Sequence, residues 1–579
     1  MNHPPREKVP MVSRKVVQHC SLIVLAFMLV ECAGEVPPSG GPPDTVPPTI
    51  VRTVPDSNAV RVDRNKVELE FSEYVDRRSV EESIFISPYV GSLEFDWSGT
   101  EVEIAFSESL KHNTTYVVNV GTDVKDQRAQ NRMAAGYTLA FSTGDSIDHG
   151  YISGRVFDEK PEGVMIFAYS LQNVDPDTLN PSTLKPDYIM QTGKGGRFAL
   201  SNIAYGRYRI LAVRDEFHNF LYDKQIDQYG VPTSDVNLTL EHVRVDDIWF
   251  RLSREDTAKP FLTSVQPLDR HRLQVRFSEP IDTASFDKAE FNLSDTLAIR
   301  GFPLQYSYFD RRTPSIAWAL TEAALDSSAT YRLRVRSVHD RAGNPLDSAH
   351  SWMDFVGVST LDSTKPTLTI RDLASGGTAW LPDRPIEIDF SEPVVRASAG
   401  SAIALSDTTK KNLITELQWL NPAAAMIMMT KPLDFGTWYQ IRIVLDSIID
   451  LQGNRLKDST LILRFQTLDL RKTGNIDGTV VDAMGDEGRG DVYVTASRID
   501  ATMPREKTIR LQSPGRFRME QLIEGKYLLS AFRDGDGNGA YSYGEPYPFR
   551  PAERFAVYSD TVKVRARWDV EGVLLNFKK

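Results

Sequence analysis

Val67-Glu68-Leu69-Glu70-Phe71-Ser72-Glu73 alternates apolar and polar residues and ends on Phe-Ser-Glu. The phrase returns in Leu273-Gln274-Val275-Arg276-Phe277-Ser278-Glu279, and again at Phe390-Ser391-Glu392. A period of two is the pattern of a β-strand with one face buried. Each copy lies downstream of a linker bearing Asp and Pro: Asp44 to Pro48, Asp256 to Pro260, and Asp362 to Pro366. A strand phrase repeated at domain-sized intervals predicts an array of modules, an architecture that holds, spaces or sticks more often than it catalyses.

The bulk numbers agree. A chain of 579 residues predicts roughly four to six domains. Its 41% hydrophobic content supports ordinary cores. A net charge of −11 argues against a nucleic-acid partner, which needs clustered Lys and Arg. The two cysteines, Cys20 and Cys32, both precede the modules, so the folded part has neither a disulfide nor a thiolate metal site.

Arg14 and Lys15 precede a ten-residue apolar run, Ser21 to Val30. That length suits a signal-peptide core and is too short to span a bilayer. The next residues, Leu29-Val30-Glu31-Cys32-Ala33-Gly34, resemble a bacterial lipobox, although Glu31 stands where that pattern has a small residue. The resemblance implies cleavage before Cys32 and a lipid on its thiol, so that the chain meets a membrane through Cys32. The alternative is an ordinary cleaved signal with Cys32 incidental. Met11 is a second candidate start. The Pro/Gly stretch from Glu35 to Asp44 reads as a tether.

The three Phe-Ser-Glu segments share further marks. Each has a Tyr-led alternating strand, at Tyr116 to Val120, Tyr331 to Val335 and Tyr439 to Ile443. Two carry an Asp-x-x-Gly-Asn turn, Asp340 to Asn344 and Asp450 to Asn454, and the first keeps a looser Asp126 to Asn131. Each closes on a strand with a Phe, at Phe141, Phe355 and Phe465. Short strands between Gly, Asn, Asp and Pro turns predict antiparallel β-sandwiches. Together these segments resemble the bacterial Ig-like domain of the S-layer (SbsA) type.

A second unit is also repeated. Gly150 to Val156 matches Gly474 to Val480. Further on, Gly196-Arg197-Phe198 matches Gly515-Arg516-Phe517, Gly206 matches Gly525 and Asp215 matches Asp534, these pairs all standing 319 residues apart. The unit resembles the carboxypeptidase-regulatory-like (prealbumin-like) domain, which implies a small, non-catalytic β-sandwich.

The predicted fold is therefore all-β, a series of tandem antiparallel β-sandwiches. Residues 1–31 are the lipoprotein signal peptide and 32–48 the tether. Ig-like domains occupy 49–145, 256–360 and 361–469, and prealbumin-like domains 146–255 and 470–579. Lys185 to Lys194 and Asp310 to Pro314 read as loops.

The best candidate site is Asp534-Gly-Asp536-Gly-Asn538-Gly539-Ala540-Tyr-Ser542-Tyr-Gly544-Glu545. It has the spacing of an EF-hand calcium loop, with Asp534, Asp536, Asn538, the Ala540 carbonyl and Glu545 supplying oxygens to Ca²⁺. A strand rather than a helix precedes it, and Ca²⁺ needs oxygens rather than helices. In the internal copy, Phe217 stands for Asp536 and Ile226 for Glu545, so the turn persists where those ligands do not. Glu73, Glu279 and Glu392 are candidates either for Ca²⁺ at module junctions or for capping turn amides, and capping is the expected role.

No H-E-x-x-H, nucleophile elbow or phosphate-binding glycine loop occurs, so no enzyme is expected. The expectation is a lipid-anchored envelope protein at the outer membrane, periplasmic or surface-exposed. It would space or present a binding surface for architecture or adhesion, with an envelope polymer, glycan or protein as partner. The rival is a carbohydrate-recognition or transport accessory protein.

Overall fold

Along Lys66–Phe71, Val67, Leu69 and Phe71 turn into a core while Glu68 and Glu70 face outward. The same alternation recurs in Glu101–Phe106, its neighbour in the sheet. Among the described residues, this pattern yields ten sheets, which pair across shared cores as five sandwiches in sequence order. The computed structural model describes residues 44–578, apart from 173, 287, 298–299, 374–375, 410, 458, 483–489 and 501–505. The expected signal peptide, Cys32 and most of the tether lie outside the described residues.

The first, third and fourth sandwiches share one design. Each has a four-stranded sheet of equivalent strand order: Ile50–Val54, Lys66–Phe71, Glu101–Phe106, Leu93–Ser98 in the first, with counterparts starting at Leu262 and Leu368. In each, the leading Tyr of the expected strand pairs across the ladder with the expected Phe: Tyr116 with Phe141, Tyr331 with Phe355, Tyr439 with Phe465. Their rings stack at 5.7, 5.7 and 5.9 Å. Each hydroxyl accepts a bond from the backbone N–H five residues upstream, at Lys111, Asp326 and Asp434 (2.8, 3.0 and 2.9 Å). This is a tyrosine corner, and it gives a buried phenol a partner.

The second and fifth sandwiches share another design. In each, a three-stranded sheet faces a larger one: Arg197–Ile203, Gly150–Phe157 and Arg244–Arg251 in the second, and Arg516–Ile523, Thr473–Asp482 and Asp569–Phe577 in the fifth. The outer pair is parallel in both, as is Gly377–Trp380 with Thr460–Thr467 in the fourth sandwich. The sandwiches are thus antiparallel except where a long connection returns a strand to the sheet edge. Gly154 and Gly478 mark that close approach, since a Cβ would stand 1.9 Å from the Ile248 carbonyl and 2.7 Å from that of Val573. Within the expected loop from Lys185 to Lys194, Tyr188–Gln191 is an edge strand, because it completes the ladder of Met165–Ser170.

The array folds back on itself. Asn119 donates to the Ile189 carbonyl (3.0 Å) and joins the first sandwich to the second. Arg272 bridges to Glu392 (2.5 Å) and Tyr308 enters the fourth core, joining the third sandwich to the fourth. The fifth returns to the second: Tyr229 donates to the Gly544 carbonyl (3.0 Å), Ala552 to the Pro232 carbonyl (3.2 Å), and Lys578 pairs with Asp247 (3.1 Å). The second to fifth sandwiches therefore form a closed circuit.

Tyr439→Phe removes one buried hydrogen bond and should cost the fourth sandwich about 1 kcal/mol. Tyr439→Ala should cost about 3–5 kcal/mol through the cavity it leaves. Native-state hydrogen exchange on the full chain reads that sandwich separately from the others.

Candidate functional site

The repeated Phe-Ser-Glu phrase divides three jobs. The Phe fills the core. The Ser holds the incoming linker, with Ser72, Ser278 and Ser391 hydroxyls accepting from the N–H of Thr49, Phe261 and Thr367 at 3.0, 3.0 and 2.9 Å. The same three serines donate their own N–H to the carbonyls of those residues. The turn Asn completes the clamp: Asn131, Asn344 and Asn454 donate side-chain amides to the carbonyls of Asp44, Asp256 and Asp362 (3.0, 3.0 and 3.2 Å).

The Glu does not cap the turn, contrary to expectation. Asp126, Asp340 and Asp450 take that role, accepting from the backbone of Asn131, Asn344 and Asn454 at 2.8 Å each. The Glu instead meets the linker and turn acids. Asp256, Glu279 and Asp340 offer oxygens within 4.8 Å of one another, and so do Asp362, Glu392 and Asp450. Burial, with Asp126 and Asp44 nearby, raises the Glu73 carboxyl, and burial with Asp256 and Asp340 raises Glu279. Glu392 is pushed up to about 8 by burial, with Asp362 and Asp450 adding to the effect and Arg272 opposing it. Like charges brought this close favour either a shared proton or a cation.

The EF-hand-like loop closes differently from its sequence template. Asp534 is buried and spends both oxygens on the turn, accepting from Gly537 (2.7 Å), Asn538 (3.1 Å) and Gly539 (2.9 Å). Gly537 and Gly539 take positive φ, 76° and 77°, which only glycine adopts without strain. Asp536 accepts from the Asn538 backbone (3.0 Å) and the Ser542 hydroxyl (2.6 Å), which holds its carboxyl below the usual range. The Asn538 side-chain oxygen accepts from the Ala540 N–H (2.7 Å). Glu545 does not join this group. Its backbone bridges Arg550 in both directions (2.9 Å) and its carboxylate pairs with that guanidinium (3.2 Å). The chain leaves the loop through a β-bridge rather than a helix, so position twelve is not carried back. Glu553 supplies the third carboxylate, within 4.8 Å of Asp534 and Asp536.

The internal copy proves richer in acid than its alignment implied. Asp215 caps the equivalent turn through Asn219 (3.3 Å) and Phe220 (2.8 Å). Asp227 accepts from the backbone of Glu216 (3.1 Å) and Asp223 (2.8 Å). Glu553 accepts from the matching positions, Gly535 (2.6 Å) and Ser542 (3.0 Å). Asp227 and Glu553 thus do one job from unaligned sequence positions. Asp215, Asp223 and Asp227 converge as a second triad. A fixed 319-residue offset could not pair Asp227 with Glu553; the recurrence of a buried acid soon after each loop was the available signal.

Both loops lie where the second and fifth sandwiches meet. The Arg209 guanidinium sits 3.6 Å from the Phe549 ring centre and is neutralised by Asp235 (2.9 Å). Arg251 lies over Tyr541 (4.8 Å) and Phe555 (4.4 Å). Cations on aromatic faces away from water make favourable contacts.

The bacterial Ig-like domain family model matches residues 44–143 and 362–467. The third sandwich has the same strand order and the same clamp without being matched. No curated protein matches the chain in sequence. Among solved structures, the chain is similar to the N-terminal part of the bacterial S-layer protein SbsC (14% identity, covering 36% of this chain and 44% of that one, TM-score 0.17). It is also similar to SbsC domains 1–6 (9% identity, 96% and 69%, TM-score 0.16) and to BcpA, the major pilin subunit of Bacillus cereus (9%, 74% and 99%, TM-score 0.14). The chain thus spans less than half of the first of these, and at such scores the likenesses carry no weight beyond similarity.

Glu392 sets a pH dependence. Its folded value of about 8 lies above the ordinary 4.5, so the folded state holds the proton more tightly and stability falls as pH rises between those values. Melts of the full chain across this window should show that decline, and Glu392→Gln should flatten it. An unchanged slope in the variant would assign the decline to other groups.

Proposed function

We propose that the protein, in which the bacterial Ig-like domain model matches residues 44–143 and 362–467, is a non-enzymatic envelope scaffold, lipid-anchored through Cys32. It spaces or presents a binding surface at the outer membrane, in architecture or adhesion. The closed circuit carries this reading. Two modules 319 residues apart in sequence are held face to face, while two Ig-like sandwiches bridge them. An extended string gives reach; a closed circuit gives a fixed outline, which suits a platform. Its long connections run through folded sandwiches rather than flexible linkers, so the closure costs little further chain entropy.

Calcium belongs to the same proposal. Asp534, Asp536 and Glu553, with Asn538, supply oxygens for an ion in the loop that also makes the second-to-fifth contact. An ion there draws together like charges and stiffens the contact. Melts of the full chain with calcium and with chelator test it. Saturation at a hundred times the Kd should stabilise by about 2.7 kcal/mol. Asp536→Ala and Glu553→Gln should each remove the effect, and a melt indifferent to calcium would reduce the loop to a self-capped turn.

Anchoring is tested by fractionation. Cys32→Ala should move the protein from membranes to the soluble fraction, and full membrane retention in that variant would sink the lipid anchor.

A further inference from the structure

A cleft of about 950 Å³ opens where the first, second and fifth sandwiches meet. Its floor is the outward face of the second sandwich's three-stranded sheet, where Tyr151, Ser153, Arg155 and Phe157 alternate with core residues. The end of Thr115–Val120 and the start of Tyr137–Ser142 wall one side, and Val557 to Ser559 of the fifth sandwich contribute the other.

The charge of this cleft runs against that of the chain. Its charged lining residues are Arg155, Lys194, Arg197 and Asp247. Asp247 is paired with Lys578. Among the described residues the three cations have no carboxylate partner: the Arg155 Nε donates to the Gly195 carbonyl (2.9 Å), and its guanidinium lies 4.8 Å from the Phe157 ring centre. Arg155 and Arg197 are also direct partners across the antiparallel ladder. Opposed residues stand roughly 5 Å apart at Cβ, where like charges destabilise the pair. Arg209 and Arg214, on the neighbouring sheet of the same sandwich, each have an acid at 2.9 Å, whereas Arg155 and Arg197 face each other.

The fifth sandwich provides the comparison within the molecule. At the matching ladder position Arg516 faces Thr479, and Ser513 stands where the second sandwich has Lys194. On that outward face Arg518 is bonded to Asp477 (2.5 Å), Asp569 (3.0 Å) and Glu520 (3.2 Å). The fold therefore does not require the cation cluster, and only the copy that floors the cleft carries it.

The geometry points to an anionic glycan as the occupant, a sugar chain bearing ring carboxylates. The guanidinium forks match carboxylates. The half-buried Trp249 and Tyr558 offer aromatic surface to sugar rings along the same cleft. Three cations on a chain of net charge −11 are too few for a nucleic acid. The volume lies at the upper end of the roughly 300–1,000 Å³ of known ligand sites.

The test is a titration of the purified full chain with hexagalacturonate, followed by tryptophan fluorescence and calorimetry. Binding should be detected, should weaken as salt rises, and should fall at least tenfold when the same oligomer is methyl-esterified. The double variant Arg155→Thr with Lys194→Ser installs the residues that the fifth sandwich tolerates, so its melt should match or exceed the parent's while binding falls at least tenfold. Absence of hexagalacturonate binding, equal binding of the ester, or full affinity in the double variant would overturn the assignment. Polyglutamate or a twelve-residue oligothymidylate binding as tightly would overturn it in favour of unselective charge attraction. None of these outcomes bears on the lipid anchor, which is read by fractionation.

Discussion

The hold of each Ig-like sandwich on its own incoming linker is the constraint from which the rest of the architecture follows. A Ser hydroxyl and a turn Asn amide grip consecutive parts of the linker in all three copies, with distances that agree to within 0.2 Å. A linker with those bonds unmade would swivel, and a chain of five swivelling modules would rarely bring its ends together. With the second-to-third and third-to-fourth junctions fixed in this way, the directions of the third and fourth modules are set by the ones before them. Local hydrogen bonding thus narrows where the fifth sandwich can lie, and Arg209, Arg251 and Lys578 hold it where it meets the second.

The clamp has an electrostatic cost. Holding the linker draws its Asp toward the turn Asp and the phrase's Glu, which leaves two or three carboxylates in one small volume. At the third-to-fourth junction Arg272 offsets part of this, reaching Asp269 (3.2 Å), Asp362 (3.6 Å) and Glu392 at once. Burial, with the acids still outnumbering Arg272, is why Glu392 keeps its proton to higher pH. The loops of the second and fifth sandwiches show the same economy of structure: each acid caps backbone amides first, and the negative charge that gathers is a by-product available to a cation.

Much of this was legible in the residues and some was not. Alternation and the repeated Tyr and Phe marked the strands, because burial on one face of a sheet leaves a period-two trace that needs no distant partner to be read. The Tyr–Phe cross-ladder pairs and the tyrosine corner follow from those same residues, although the hydroxyl's bond to a backbone five positions upstream has no signature of its own. Glu553 and Asp227 were out of reach for a different reason. Their role is defined by two backbone amides in space, and the chain reaches that point after connections of unequal length. Glu545 fitted a spacing rule built for a loop that exits into a helix. The second-to-fifth contact was invisible, since it depends on three junction angles in succession.

The two repeated module types also separate what a fold demands from what a particular copy adds. Features present in both the second and fifth sandwiches, such as the glycine under the parallel strand and the buried aspartate in the turn, are explained by backbone geometry alone. Features present in one copy need another cause. Arg155 opposite Arg197 worsens the local electrostatics of a sheet whose sister copy manages with Thr479, and among the described residues neither arginine has a carboxylate partner. A cost that the fold does not require, on the surface that three modules enclose, is the kind of local inconsistency that a ligand resolves.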